Sequence, residues 1–85
     1  MSESSDSSQS SQARASSIRQ LLAEKFKGAR RALDLTQKQL GEIAGLRQTL
    51  ISKMERGQCL TVANIVVVAE ALDFSLAQFF IDLKL

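Results

Sequence analysis

Residues 35–57 read LTQKQLGEIAGLRQTLISKMERG, two stretches of helical apolar spacing with Gly45 between them. A glycine inside a helix costs about 1 kcal/mol relative to alanine, so one continuous helix would not favour it here. Glycine does accept a positive φ without steric cost, which a tight turn requires. The stretch therefore predicts two short helices joined by a turn at Gly45.

The two predicted helices have recognisable ends and one shared apolar side. Thr36 is a good N-cap for the first helix, and Gly57 is placed to end the second. Gly41 indicates a place where the helices approach closely. The residues expected to point to one core are Leu40, Ile43, Leu46, Ile51 and Met54. The side chains left facing outward include no acid: Arg47, Gln48, Thr49, Ser52, Lys53 and Arg56. Each of them can donate hydrogen bonds to base edges or phosphates.

The segment before this pair predicts a tail followed by a longer helix. Residues 1–16 are nearly all Ser, Gln and Asp, with no apolar side chain larger than alanine apart from Met1. Such a composition predicts a disordered tail. Ser17 and Gln20 have the spacing of a capping box, and a helical apolar stripe follows it: Ile18, Leu22, Phe26, Ala29 and Leu33. Asp34 tolerates the left-handed conformation and is placed to end this helix.

The C-terminal third is more ambiguous. The run Ile65 to Val68 favours a strand by propensity, but residues 61–73 also carry a helical stripe with Thr61 as an N-cap, and a helix is the preferred interpretation. Ser75 and Gln78 repeat the capping-box spacing and predict a short last helix. The end, residues 81–85, alternates apolar and charged residues, as a half-buried strand does, with a frayed tail as the alternative.

Composition limits the classes of function. Eighty-five residues with one Cys and no His make one small domain without a disulfide, and they offer neither the commonest general base nor the commonest metal ligand. We expect no metal, no cofactor, no membrane span and no enzymatic activity, in a cytoplasmic protein. Residues 14–56 carry ten Lys or Arg against four Asp or Glu, and the flanking segments are net acidic. This basic middle suggests an anionic partner, with solvated helix faces as the alternative.

The stretch resembles the Cro/cI-type (XRE) family of helix-turn-helix DNA-binding proteins. The matching residues are Arg30, Leu35, Thr36, Gln37, Leu40, Ala44, Gly45, Ile51, Ser52, Glu55 and Gly57, followed by Thr61, Ile65, Ala69, Leu72 and Phe79. The resemblance implies an all-α fold, a compact five-helix lambda-repressor-like DNA-binding domain over residues 17–80. It also implies that the recognition helix, residues 47–56, enters the major groove.

The resemblance assigns roles by position. It implies base contacts from Gln48, Thr49 and Lys53, with Ser52 and Arg47 as further candidates; glutamine suits adenine and lysine suits guanine. Phosphate contacts are expected from Gln37, Lys38 and Arg56. Arg30 and Glu55 are expected to form a structural salt bridge rather than to contact DNA. Arg47 stands where relatives often have a capping Ser or Thr, so it either contacts DNA or only weakens the helix start.

One such domain contacts one half-site, and family members usually bind DNA as two-fold dimers. An excess of apolar residues near the end predicts a homodimer contact in the C-terminal segment 81–85 and the adjoining helix, through Phe80, Ile81, Leu83 and Leu85. The function expected is a sequence-specific transcriptional regulator, a repressor that binds a two-fold-symmetric operator. The alternative is an antitoxin that neutralises a toxin protein and represses its own operon. Controllers of restriction–modification operons are also small members of the family.

Overall fold

The computed structural model describes the backbone of residues 2–83 and the side chains of residues 11–83. Within that part of the chain the regular structure is entirely helical, as the sequence predicts. The five helices are α1 (Ser2–Ala32), α2 (Gln37–Ala44), α3 (Gln48–Glu55), α4 (Val62–Ala71) and α5 (Leu76–Asp82). The ambiguous valine run lies in α4, so its helical stripe prevailed over its strand propensity.

The start of α1 differs from the prediction. The helix begins at Ser2, so Ser17 lies inside the helix rather than at its N-cap. Nothing in this segment breaks a helix, since Pro is absent and the first Gly is Gly28. Once the packed part of α1 is formed, each further residue adds a hydrogen bond without a new nucleation cost.

Three helices begin at a hydroxyl cap. Thr36 accepts a hydrogen bond from the Gln39 amide (3.0 Å), and the Gln39 side chain accepts one from the Thr36 amide (2.8 Å), which completes a capping box. Thr61 caps α4, because its hydroxyl accepts a hydrogen bond from the Asn64 amide. Ser75 caps α5 in the same way, by accepting from the Gln78 amide. The Gln78 side chain, however, donates to Asp82 and does not bond to the cap residue. The second predicted capping box is therefore only half formed.

Four helices end with a residue in the left-handed region. Gly45 (φ 73°) and Gly57 (φ 84°) follow α2 and α3, while Asp34 (φ 58°) and Asp73 (φ 52°) follow α1 and α4. After α1, the amides of Asp34 and Leu35 donate back to the carbonyls of Arg31 and Arg30, as in a Schellman motif. The prediction for Asp34 is confirmed, and sequence analysis missed Asp73.

One core joins all five helices. Its buried members are Leu22, Phe26, Leu40, Ile51, Met54, Val68, Ala69, Leu72 and Phe79. Two apolar residues assigned to core-facing stripes are instead exposed, namely Ile43 (58%) and Leu33 (52%). Each lies near a helix end, where the neighbouring helix no longer covers the edge of the stripe. Helical spacing identifies the residues of an apolar stripe but does not show how far the neighbouring helices bury it.

The C-terminal strand prediction is wrong for the residues that the structure describes. Ile81 and Asp82 belong to α5, and Leu83 is its C-cap residue. The remaining two positions, Lys84 and Leu85, lie outside the described residues. The chain from Phe79 onward therefore presents its side chains with helical spacing, and both Phe80 and Ile81 are exposed, about 100° apart around the axis of α5.

Among the described helices, no single one is long and apolar enough to cross a membrane, although α4 and α5 together, bent by 107° at their break, have the length and composition of a span.

Candidate nucleic-acid interface

The turn between α2 and α3 is held by backbone contacts that require glycine. The Gly45 amide donates to the Gly41 carbonyl, and the Leu46 amide donates to the same oxygen at 2.8 Å. A Cβ added to Gly41 would lie 2.5 Å from the Leu46 carbonyl oxygen. The turn is therefore pressed against α2 so closely that a methyl group at position 41 would displace it. Both glycines fix the angle at which α3 leaves the turn.

The packing of α3 decides which of its side chains are free. Ile51 and Met54 are buried, and Leu50 packs partly against the same core. Of the predicted base-contacting residues, Arg47, Gln48, Thr49 and Lys53 are exposed and Ser52 is half-buried. Arg56 and Lys38, both predicted phosphate contacts, are exposed as well. The predicted base-contacting residues are thus accessible on α3 and at its start. The predicted phosphate contacts Lys38 and Arg56 are accessible on α2 and directly after α3.

Arg47 occupies the N-cap position of α3 without capping it. Its backbone is extended (φ −72°, ψ 147°), and its side chain makes no hydrogen bond to the first turn. The prediction that this arginine cannot cap is confirmed. The first-turn amides of α3 consequently lack a side-chain acceptor from this residue. The Leu50 amide donates instead to the Arg47 carbonyl, and the amides of Gln48 and Thr49 stay available to an anion, together with the guanidinium itself.

A buried ion pair joins α1 to the end of α3. Arg30, only 8% exposed, places its Nε 2.7 Å from Glu55 Oε2 and its second guanidinium nitrogen 3.1 Å from Glu55 Oε1. The other terminal nitrogen donates to the Leu35 carbonyl at 2.6 Å. The guanidinium thus bonds to three acceptors at once, the pairing that the family resemblance implies. All buried side-chain polar atoms among the described residues have a partner.

The surroundings of Glu55 keep it ionised. Burial alone would raise the pKa of this carboxyl, but hydrogen bonds from Arg30 and Gln37, with the attraction of the Arg30 charge, hold its pKa below the ordinary value. The hydrogen bonds that Arg30 donates to Glu55 likewise raise the pKa of the Arg30 guanidinium. The only acid on α3 is therefore matched by a cation and presents no free negative charge to an anionic ligand.

Gln37 also forms a hydrogen bond to the Arg30–Glu55 ion pair. Its Nε2 donates to Glu55 Oε1 at 3.1 Å, and the side chain is half-buried. A carboxamide nitrogen carries two hydrogens, so one remains for a second acceptor. Gln37 also opens α2, where first-turn amides have no partner within the helix. The predicted phosphate contact is compatible with this arrangement, because the bond to Glu55 aims the side chain.

Gln20 is a residue that sequence analysis assigned to a different role. Instead of closing a capping box, its Nε2 donates to the Arg56 carbonyl at 3.3 Å, across 36 positions of sequence. Its amide also occupies the space that a side chain on Gly57 would need. No local pattern signals this contact, because it depends on how α1 packs beside the end of α3.

The family model named "Helix-turn-helix" matches residues 26–79, which include the whole of α2 and α3 and the ion pair around them. The chain belongs to the Cro/cI-type (XRE) helix-turn-helix family. The chain is also similar to control protein C.SmaI of Serratia marcescens, with 37% identity over 59 residues. The similarity covers 68% of this chain and 70% of the relative.

Membership in the XRE family, together with the free donor face of α3, identifies the protein as a DNA-binding transcriptional regulator of the helix-turn-helix class. The family match leaves out residues 2–25 of α1 and residues 80–82 of α5.

Proposed function

We propose that this protein is a repressor that binds a two-fold-symmetric operator as a homodimer, with α3 in the major groove. The observation that carries the proposal is the outward face of α3, where Arg47, Gln48, Thr49 and Lys53 are exposed and no free acid accompanies them. A major groove about 12 Å wide admits one helix, and base edges there are read by such donors. A helix face used only for protein contacts would not need to consist of hydrogen-bond donors without a free acid.

Base contacts are assigned to the N-terminal half of α3 and to the next turn. Gln48 and Thr49 open the helix, and Lys53 lies one turn further along on the exposed side. A glutamine amide matches the donor and acceptor of adenine, and a lysine ammonium matches the two acceptors of guanine. Ser52 is half-buried, so its short hydroxyl reaches only a base that approaches closely. Arg47 extends the same surface from the turn.

Phosphate contacts are assigned to both ends of the helix-turn-helix. Gln37 and Lys38 open α2, and Arg56 follows α3. Contacts at two separated points fix the orientation of a protein on the duplex without reading its sequence. Because Arg30 neutralises Glu55 between them, no unpaired acid of α3 opposes the approach of the backbone.

The dimer contact is assigned to α5. Phe80 is 47% exposed and Ile81 is 66% exposed, at successive positions of one helix, and the half-buried Leu83 follows them. Two exposed apolar side chains of this size on one short helix indicate an interaction surface. A two-fold axis at α5 makes the contact self-complementary, and family dimers place their recognition helices about 34–36 Å apart. The predicted contribution of Leu85 concerns a residue outside the described part.

The regulator and the antitoxin make the same demand on this apolar surface, because a toxin would cover Phe80 and Ile81 as well as a second copy of the chain would. The relative, however, is named a control protein, and a face of donors on α3 already accounts for a regulatory role. Repression follows from occlusion, since a dimer that covers two half-sites excludes other proteins from that DNA. A copurifying partner protein would favour the antitoxin.

Selection of binding sites from a random duplex library tests the proposal. We expect enrichment of a two-fold-symmetric site with half-sites about one helical turn apart, or about 10 base pairs between centres. Placing the selected site over a promoter should then lower transcription when the protein is present. Enrichment of no site, or an increase in transcription from every placement, would contradict it.

A further inference from the structure

We propose that Gln20 is a positioning residue for DNA binding, which acts through Arg56. From α1 it holds the backbone at the end of the recognition helix α3, so that the Arg56 side chain leaves from a fixed point toward a phosphate. The inference rests on the proposed function, because it assigns Arg56 to the DNA backbone. It concerns a residue that lies outside the matched region 26–79.

Two observations locate the contact. The Gln20 side-chain nitrogen donates to the Arg56 carbonyl oxygen at 3.3 Å. The Gln20 amide also overlaps the position that a Gly57 Cβ would occupy, and Gly57 has a φ of 84°. The missing side chain of Gly57 therefore provides both the left-handed turn and the room for the Gln20 amide. One glutamine thus contacts two successive residues where α3 ends.

The two ends of the recognition helix are held in different ways, by the backbone of the turn at its start and by side chains of α1 at its end. It has eight residues, and its N-cap residue Arg47 makes no side-chain hydrogen bond to the first turn. Short helices are marginal without tertiary contacts. At its C-terminal end, α3 is held by two side chains of α1, the Arg30 bond to Glu55 and the Gln20 bond to Arg56. The long helix α1 therefore holds the C-terminal end of α3 in a fixed orientation.

The two contacts from α1 differ in what they control. Arg30 and Glu55 form a buried pair whose loss destabilises the domain. Gln20 is exposed, and its bond joins two surface groups, so its loss leaves the core intact. What changes is the freedom of the segment that carries Arg56. An ordered segment loses less conformational entropy when it binds than a mobile one does, so the effect of Gln20 should appear in DNA binding rather than in folding.

A double-mutant cycle on the selected duplex tests the inference. The variants are Gln20→Ala, Arg56→Ala and the double variant, with Gln12→Ala as the control, because Gln12 is an exposed glutamine of the same helix. We expect Gln20→Ala to weaken binding about three- to tenfold, the range that corresponds to one hydrogen bond. We also expect it to reduce the dependence of affinity on salt, since fewer counterions are released when a phosphate contact weakens.

The double variant separates positioning from a mere structural role. If Gln20 acts through Arg56, Gln20→Ala should cost nothing further once Arg56 is alanine, and the melting temperature should be unchanged throughout. Losses that multiply in the double variant, or a Gln20→Ala protein that binds like wild type, would overturn the inference while leaving the proposed function standing. A wild-type protein that binds no duplex selectively would overturn both.

Discussion

Arg30 Nε and Glu55 Oε2 lie 2.7 Å apart and join the last turn of α1 to the last residue of α3. The guanidinium also holds the Leu35 carbonyl, and the carboxylate also accepts from Gln37 at the start of α2. One ion pair therefore fixes three helix ends around the helix-turn-helix. Its purpose in this chain is to set the angle between α2 and α3 and to neutralise the acid of the recognition helix.

Removal of the Arg30 side chain should destabilise the domain. Arg30→Met leaves the Glu55 carboxylate nearly buried without its cation, and breaking such a pair costs about 3–5 kcal/mol. Urea unfolding followed by circular dichroism measures the loss. Arg31→Met is the control, because Arg31 is exposed on the next position and should change stability by less than about 0.5 kcal/mol. Equal stability of the two variants would show that the pair contributes nothing.

The same pair predicts an acid-dependent loss of stability. The pKa of Glu55 is lower in the folded protein than its ordinary value of 4.5, so the unfolded chain takes up the proton first as the pH falls. The stabilisation is present above pH 4.5 and disappears as the pH passes through the lower folded value. Urea midpoints of wild type and Glu55→Gln should therefore converge in acid. Midpoints of the two proteins that stay equally far apart at every pH at which both remain folded would contradict this.

Two glycines inside helices should respond to alanine with opposite signs. At Gly41 the new methyl would meet the Leu46 carbonyl, and overpacking of this kind costs about 1–3 kcal/mol. At Gly28 nothing lies within 4 Å of the added atom, so Gly28→Ala should stabilise by up to about 1 kcal/mol through helix propensity. Thermal unfolding of both variants checks the pair. A stabilised Gly41→Ala protein would show that the turn is not pressed against α2.

The apolar surface of α5 should hold the dimer together. Ile81→Asp places a charge in the proposed contact, and we expect a folded monomer in sedimentation velocity at concentrations where wild type is a dimer. Ile43→Asp is the matched control, because Ile43 is a similarly exposed isoleucine on α2. A dimeric Ile81→Asp protein would place the interface elsewhere. A wild-type protein that is monomeric in solution would contradict the proposed homodimer.

The short central helices could be predicted from sequence because their signals are local. Gly45 marks a turn that needs positive φ, and Thr36 forms a capping box with a residue three positions away. The outward face of α3 followed from the spacing of Ile51 and Met54. Each of these depends on neighbours within about one helical turn.

The features that sequence analysis missed depend on distant parts of the chain or on what is absent. Ser17 has the chemistry of a cap, but a cap forms only where the preceding chain leaves the helix, and here it does not. Gln20 was assigned to that cap and instead contacts Arg56. Ile43 has the spacing of a core residue but lies beyond the cover of α4. In each case tertiary packing decided between alternatives that were locally equivalent.

The most direct test of sequence recognition by α3 uses the selected site and every single-base variant of it. Affinities are measured for wild type, Gln48→Ala and Lys53→Ala, with Gln39→Ala as a control glutamine on α2. We predict that Gln48→Ala loses discrimination at one base pair and Lys53→Ala at another, each by about 1–3 kcal/mol. If both variants keep every base preference and weaken binding uniformly, α3 does not read the DNA sequence, and the central claim is wrong.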